Sequence, residues 1–167
     1  RFVELEGAHR VRELQRSGHN VIALTSHSVG LEFSVLGLSF EFDCSGPYKP
    51  MKSPLVDWLV AGGRTRFGVR AYTRGDGMRP LIRDTRNGRV LIYLADEDLG
   101  IEHSVFANFF AEPKATLPVL ARLARQCRAV VVPCTSCYDT RRRRYTVKLL
   151  EPVMNFDQYD EQQSAEY

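Results

Sequence analysis

The chain reads as a single α/β domain with a mainly parallel central sheet and helices on both faces. Three observations predict this. Short apolar runs of strand length alternate with amphipathic segments of helix length along the whole sequence. Two of the runs, Val90-Leu91-Ile92-Tyr93-Leu94 and Ala129-Val130-Val131-Val132, are apolar almost throughout, the pattern of strands covered by helices on both faces. The length, 167 residues with 44% hydrophobic and 26% charged, suits one domain that buries its own core. The same composition excludes a disordered or fibrous chain.

The elements follow in order. Residues 4–17 read as a helix, with Ala8, Val11 and Leu14 on one side and Gly18 as a stop. Val21 to Leu24 is a strand-type run ending at Thr25-Ser26-His27, and residues 28–38 are helical and strongly apolar. Ser39 to Asp43 alternates like a strand, and Gly46-Pro47 breaks it. Residues 53–61 form a short helix with Leu55, Trp58 and Leu59 inward, ended by Gly62-Gly63. Phe67 to Tyr72 is a strand, Gly77 to Asn87 a helix closed by Asn87-Gly88, and Val90 to Leu94 a buried strand. Thr116 caps a helix to Arg125 with Pro118 in its first turn. After the strand at 129–132, Tyr138 to Leu150 forms a hairpin turning at Asp139 to Arg142.

Charge is unevenly spread. There are 23 Lys and Arg against 20 Asp and Glu, a net +3. Five of the acidic residues (Glu151, Asp157, Asp160, Glu161, Glu166) lie in the last 17 positions, which hold no Lys or Arg. Residues 1–150 therefore carry 23 basic and 15 acidic residues, or +8, and suit an anionic partner. No apolar run reaches the ~18–20 residues a membrane-crossing helix needs; the longest, Val29 to Phe42, is broken by Glu32 and Glu41. The four cysteines (Cys44, Cys127, Cys134, Cys137) are too few for a disulfide scaffold. Cys134-Thr135-Ser136-Cys137 lacks the second ligand pair of a zinc ribbon and reads as ordinary cysteines at a strand end. Arg141-Arg142-Arg143-Arg144 reads either as a solvated turn or as a contact for anionic headgroups. No interleaved aromatics or nucleic-acid module accompany it, so no nucleic-acid partner is expected.

The pattern richest in chemistry is His27-Ser28-Val29-Gly30-Leu31-Glu32. A strand delivers the histidine to its carboxyl end, where open α/β sheets place their sites. A histidine just before the helix can fold back towards Glu32, and a carboxylate on one ring nitrogen raises the basicity of the other. That makes a general base for a hydroxyl nucleophile. Spacing alone favours a surface histidine beside an unrelated helix carboxylate, since His and Glu at short intervals are common.

His-x-x-x-x-Glu at a strand-to-helix junction resembles the signature of the glycerolipid acyltransferase superfamily. More closely, the chain resembles the late acyltransferases of lipid A biosynthesis, nearer the myristoyl-type than the lauroyl-type branch. The likeness runs through Ser53-Pro54-Leu55-Val56-Asp57-Trp58, Gly63-Arg64-Thr65-Arg66-Phe67-Gly68, Gly77-Met78-Arg79-Pro80-Leu81-Ile82 and Leu94-Ala95-Asp96-Glu97-Asp98-Leu99-Gly100. It continues through residues 102–110, Lys114-Ala115-Thr116-Leu117-Pro118 and Val131-Val132-Pro133. Ala95 and Glu97 depart from the family's usual Pro and Gln.

The resemblance implies a glycerolipid acyltransferase-like fold and an acyltransferase acting on a phosphorylated glycolipid. His27 is then the general base on a hydroxyl of an acyl chain already attached to the lipid A precursor, and Glu32 orients it. The donor is a fatty acyl thioester on acyl carrier protein, so no metal or redox cofactor is expected. Arg64 binds phosphate or stabilises developing negative charge. Arg66 is its neighbour, either a second substrate contact or a solvated charge; in a strand the two share a face. Asp96 and Asp98 either orient the site or organise its loop. The resemblance further implies work at the cytoplasmic face of the cell inner membrane. It makes residues 1–167 a single catalytic domain lacking the N-terminal anchor and C-terminal segment of full-length relatives. The alternatives are another glycolipid or lysophospholipid acceptor, or a non-catalytic basic domain that docks on membrane or nucleic acid.

Overall fold

A computed structural model describes residues 2–97, 100, 102, 104–109 and 111–167. Asp98 and His103 lie outside the described residues. The chain runs β1 (Val3–Glu6), α1 (Ala8–Arg16), β2 (Asn20–Thr25), α2 (Leu31–Ser39), β3 (Cys44–Tyr48), α3 (Pro54–Thr65), β4 (Arg70–Thr73), α4 (Arg79–Arg86) and β5 (Val90–Leu94). It continues through β6 (Val105–Phe109), β7 (Glu112–Thr116), α5 (Leu120–Cys127), β8 (Ala129–Asp139), β9 (Arg144–Leu149) and α6 (Glu161–Glu166). One seven-stranded sheet has the order β1-β9-β8-β2-β5-β3-β4, and β6 and β7 form a separate antiparallel pair. Within the large sheet only β8 and β9 pair antiparallel. The architecture is the α/β fold with a mainly parallel sheet that the sequence predicts.

Alternation along the central strands sends side chains to two core layers. Val21 and Ala23 of β2, with Val90 and Ile92 of β5, meet Val11 of α1 and Leu38 of α2 on one face. Ile22, Leu91 and Tyr93 meet Leu81 of α4 and Leu120 and Leu123 of α5 on the other. Each fully buried Val, Leu or Ile in these layers contributes about 1.5–3 kcal/mol. Phe156 closes the second layer from the C-terminal segment, with Tyr159 and Tyr167 against its ring. No helix among the described residues is long and apolar enough to cross a membrane.

Several elements differ from the sequence expectation. The helix expected over 4–17 begins only at Ala8; Val3–Glu6 is an edge strand beside β9. Gly7 makes the break at φ 78°, and a Cβ there would lie 2.3 Å from the Leu149 carbonyl oxygen. The strand expected over 39–43 sits five residues later as β3, and Gly46-Pro47 lies inside it rather than ending it. Gly46 fits there because its missing Cβ leaves room for the Ile92 carbonyl. Helix α3 runs through Gly62-Gly63 to Thr65. Thr116 caps no helix: it pairs with Val105 at the end of β7, and α5 starts at Leu120.

The β8–β9 hairpin accounts for two sequence signals. Asp139 accepts the backbone N–H groups of Arg141 and Arg142, and Arg144 pairs with Glu4. Asp139 thus pins the turn that carries the arginines, and Arg144 is paired with the edge strand β1. Cys134 and Cys137 lie three apart on one strand and face opposite sides; Cys134 is buried and Cys137 exposed. Burial pushes the Cys44 and Cys134 thiols up to about 12. With a thiol reagent at neutral pH, Cys137 alone is expected to react rapidly in the native chain, the other three only on unfolding. Two fast-reacting thiols in the native protein would contradict this placement.

Candidate active site

Strand register builds the site. In the parallel pair β2–β5, Thr25 stands opposite Leu94. Two residues further on, outside the carboxyl edge, His27 stands opposite Asp96. The chain leaves β2 towards α2 on one face of the sheet and continues from β5 towards α5 on the other. Diverging connections of this kind open a crevice between adjacent strands.

Asp96 holds His27 twice. The imidazole Nδ1 lies 2.8 Å from Asp96 Oδ1, and the His27 backbone N–H donates to Oδ2 at 2.7 Å. In a neutral ring the nitrogen that faces a carboxylate is the one to carry the proton, and the Nε2 lone pair is then available. The histidine side chain is 55% exposed and Asp96 25%. The imidazole is therefore open to an incoming group while the Asp96 carboxylate is sheltered. The loop that carries Asp96 is tied down where the Leu117 N–H donates to the Ala95 carbonyl at 3.2 Å. On the other side, Gly30 sits so close to Ser136 that a Cβ would lie 2.2 Å from its hydroxyl oxygen. A side chain at residue 30 would have to displace that of Ser136, which glycine avoids.

The expected His27–Glu32 contact is replaced. Glu32, in the first turn of α2, takes Arg64: Nε donates to Oε2 at 3.0 Å, and Nη2 donates to Oε1. A guanidinium offers a carboxylate two parallel charge-assisted hydrogen bonds, where a neutral imidazole offers one. Arg64 also lies over the Tyr48 ring, 5.3 Å from its centroid. The hydrogen bonds from Arg64 to Glu32 raise the guanidinium further above its ordinary value. Nε and Nη2 are engaged by Glu32, and no hydrogen bond of Nη1 is seen among the described residues.

Tyr48 and Asp57 also belong to this edge, and sequence reasoning assigned them no role. Extending the β3–β5 register from Ser45 opposite Leu91 puts Tyr48 level with Leu94. The Tyr48 hydroxyl donates to Asp57 Oδ1 at 2.5 Å, and the Met51 N–H donates to the same oxygen at 2.7 Å. These bonds hold the Asp57 carboxyl below its usual range and raise the Tyr48 hydroxyl. Helix α3 is thus fixed by Asp57 in its first turn and Arg64 in its last, each with the sign the helix dipole favours. The aspartate before a tryptophan in a matched motif was the available sequence signal. Arg66 is exposed at the C-terminal cap of α3, over the Phe67 ring at 5.6 Å. Arg64 and Arg66 do not lie in a strand; two apart on a helix end, they diverge. Asp98 lies outside the described residues.

A cavity of about 650 Å³ surrounds the Arg10–Glu151 ion pair and shares no residue with this edge.

Comparisons with known proteins agree with the fold and the motifs. The family model "Bacterial lipid A biosynthesis acyltransferase" matches residues 1–167. The chain is 35% identical over 163 residues to a lipid A biosynthesis acyltransferase of Haemophilus influenzae, covering 97% of this chain and 51% of that protein. It is 34% identical over 152 residues to the lipid A biosynthesis myristoyltransferase of Escherichia coli, covering 90% and 47%. The crystal structure of the 1-acyl-sn-glycerophosphate (LPA) acyltransferase from Thermotoga maritima superposes with a TM-score of 0.50 at 17% identity, over 90% of this chain and 60% of that one. That likeness is one of fold. The chain spans about half the length of the curated relatives it matches. On the family match over its whole length, the chain belongs to the bacterial lipid A biosynthesis acyltransferase family.

Proposed function

We propose that the chain carries the catalytic core of an O-acyltransferase. It moves a fatty acyl group from acyl carrier protein to a hydroxyl of an acyl chain on a lipid A precursor, at the cytoplasmic face of the inner membrane. The carrying observation is the His27–Asp96 pair at the carboxyl edge of the sheet, with Nδ1 occupied and Nε2 open. Family membership supports the substrate class, and the +8 of residues 1–150 suits a phosphorylated glycolipid and an acidic carrier.

In this reading Nε2 of His27 takes the proton of the acceptor hydroxyl as its oxygen attacks the thioester carbonyl carbon. The imidazolium that forms is stabilised by Asp96. The tetrahedral intermediate collapses by breaking the carbon–sulfur bond, and the proton held on Nε2 passes to the departing thiolate. The products are an ester and a free carrier thiol. Arg64 presents its Nη1 group to the phosphate of the acceptor or to the developing oxyanion. Glu32 acts on this step by fixing Arg64, not by touching the base.

The test is transfer of a labelled acyl chain from acyl carrier protein to a hydroxylated, phosphorylated lipid A precursor. The labelled ester is expected on the acceptor's acyl hydroxyl. Label released only as free fatty acid, or found on another acceptor, would overturn the assignment. Arg64 and Glu32 are expected to act as one unit. Arg64→Ala and Glu32→Ala each lower the transfer rate by about tenfold to hundredfold, and the double variant falls no further than the worse single, because the pair is in direct contact. Strictly multiplicative losses in that double-mutant cycle would show two independent roles.

A further inference from the structure

Helix α3 is built inside out. Its side towards the protein carries Asp57, Val60, Ala61 and Arg64, one stripe at helical spacing, and its two charged members make the hydrogen bonds that hold the helix to Tyr48 and Glu32. The opposite stripe is apolar and faces solvent: Leu55 is 73% exposed, Trp58 73% and Leu59 67%, with Val56 and Met51 also exposed beside them. Sequence patterning placed Leu55, Trp58 and Leu59 inward; the structure reverses them. Isolated exposed apolar residues are ordinary, but a contiguous face of this size on one helix marks a contact surface.

We infer that this face of α3 docks on an anionic lipid bilayer and inserts Leu55, Trp58 and Leu59 into the headgroup–acyl boundary. Two features select a bilayer. The residues flanking α3 in the chain are cationic: Lys49 and Lys52 before it and Arg66 at its end are all exposed, and no ion pair engages them among the described residues. Leucines with a tryptophan on one stripe and basic residues around it are the composition of an interfacial helix, attracted to anionic headgroups and held by apolar burial. The reverse stripe of the same helix carries Arg64 to Glu32. Docking through α3 therefore brings the site's edge to the membrane surface, where a lipid acceptor resides. The choice of a bilayer as partner rests on the lipid-acceptor reading above; the inverted helix does not.

Trp58 is the chain's single tryptophan, so selectively excited tryptophan emission reports on this face alone. Purified chain is mixed with vesicles of phosphatidylglycerol and phosphatidylethanolamine, with and without bromine-labelled acyl chains. A blue shift of Trp58 emission and quenching by the brominated chains are expected. Uncharged phosphatidylcholine vesicles are expected to bind about tenfold more weakly at low salt, a difference lost near 1 M salt, where the Debye length is ~3 Å. Leu55→Glu/Leu59→Glu, both exposed and outside the core, is expected to weaken binding by about tenfold or more with unchanged circular dichroism. Vesicle binding without a Trp58 shift or quenching overturns the inference, as does binding undiminished in the double variant. A Trp58 spectrum already blue-shifted in the free chain, with concentration-dependent self-association, would assign the face to a second copy instead. Transfer to a detergent-dispersed acceptor, measured on the same double variant, separates the two levels. Retained transfer with no Trp58 insertion in the parent sinks the docking surface and leaves the catalytic reading standing.

Discussion

His27→Ala is expected to remove acyl transfer, by about 10²–10⁴-fold from loss of the general base, while the chain stays folded. The imidazole contributes to neither core layer, is more than half exposed, and is held by Asp96. Its loss therefore opens no cavity. Asp96 keeps its hydrogen bond from the residue 27 backbone N–H, which alanine retains. The check is the initial rate with an acyl carrier protein thioester as donor, alongside circular dichroism and thermal unfolding of parent and variant. A rate within about twofold of the parent, in a variant that melts at the same temperature, removes His27 from the chemistry.

The second large effect belongs to Asp96. Asp96→Ala frees the Nδ1 proton to redistribute and removes the group that stabilises the imidazolium, so kcat is expected to fall by about 10²–10³-fold. KM for either substrate should hardly change, because in the proposed mechanism Asp96 acts through His27 as a positioning residue. Asp96→Asn is expected to fare little better. It can accept one hydrogen bond through its oxygen, but its amide nitrogen cannot accept the second. A change confined to KM would move Asp96 from positioning the base to substrate binding. By contrast, Glu32→Ala should lose less than Asp96→Ala. The reverse order would restore Glu32 as the partner of the base.

Much of the architecture was legible in the residues. The runs at β2, β5 and β8 are apolar because both faces are covered, and the Asn87-Gly88 stop of α4 and the Asp139 turn are local chemistry. His27 was readable as a strand-end histidine. Its true partner was not, because Asp96 reaches it through a register between strands that are neighbours in space and far apart in sequence. Glu32 is near His27 in the chain, and nearness in sequence is a weak guide where a guanidinium competes for the same carboxylate. The α3 misreading has a different origin. Periodicity says which side chains share a face; it does not say which face meets the core. Leu55, Trp58 and Leu59 do share one, and Asp57 and Arg64 turn it outward by binding the body on the opposite side. β1 was hidden because a four-residue strand leading into a helix across one left-handed glycine shows too few positions to establish a period of two.

The most direct measurement of the central claim is the tautomer of His27, read from long-range proton–nitrogen correlations of the imidazole rings. The chain has four histidines, and the His27→Ala spectrum assigns the signal. At a pH where the ring is neutral, the proton is expected on Nδ1, facing Asp96. It should shift towards Nε2 in Asp96→Ala and stay in place in Glu32→Gln. A neutral ring protonated on Nε2 in the parent, or a tautomer that responds to Glu32→Gln and not to Asp96→Ala, would contradict the His27–Asp96 base.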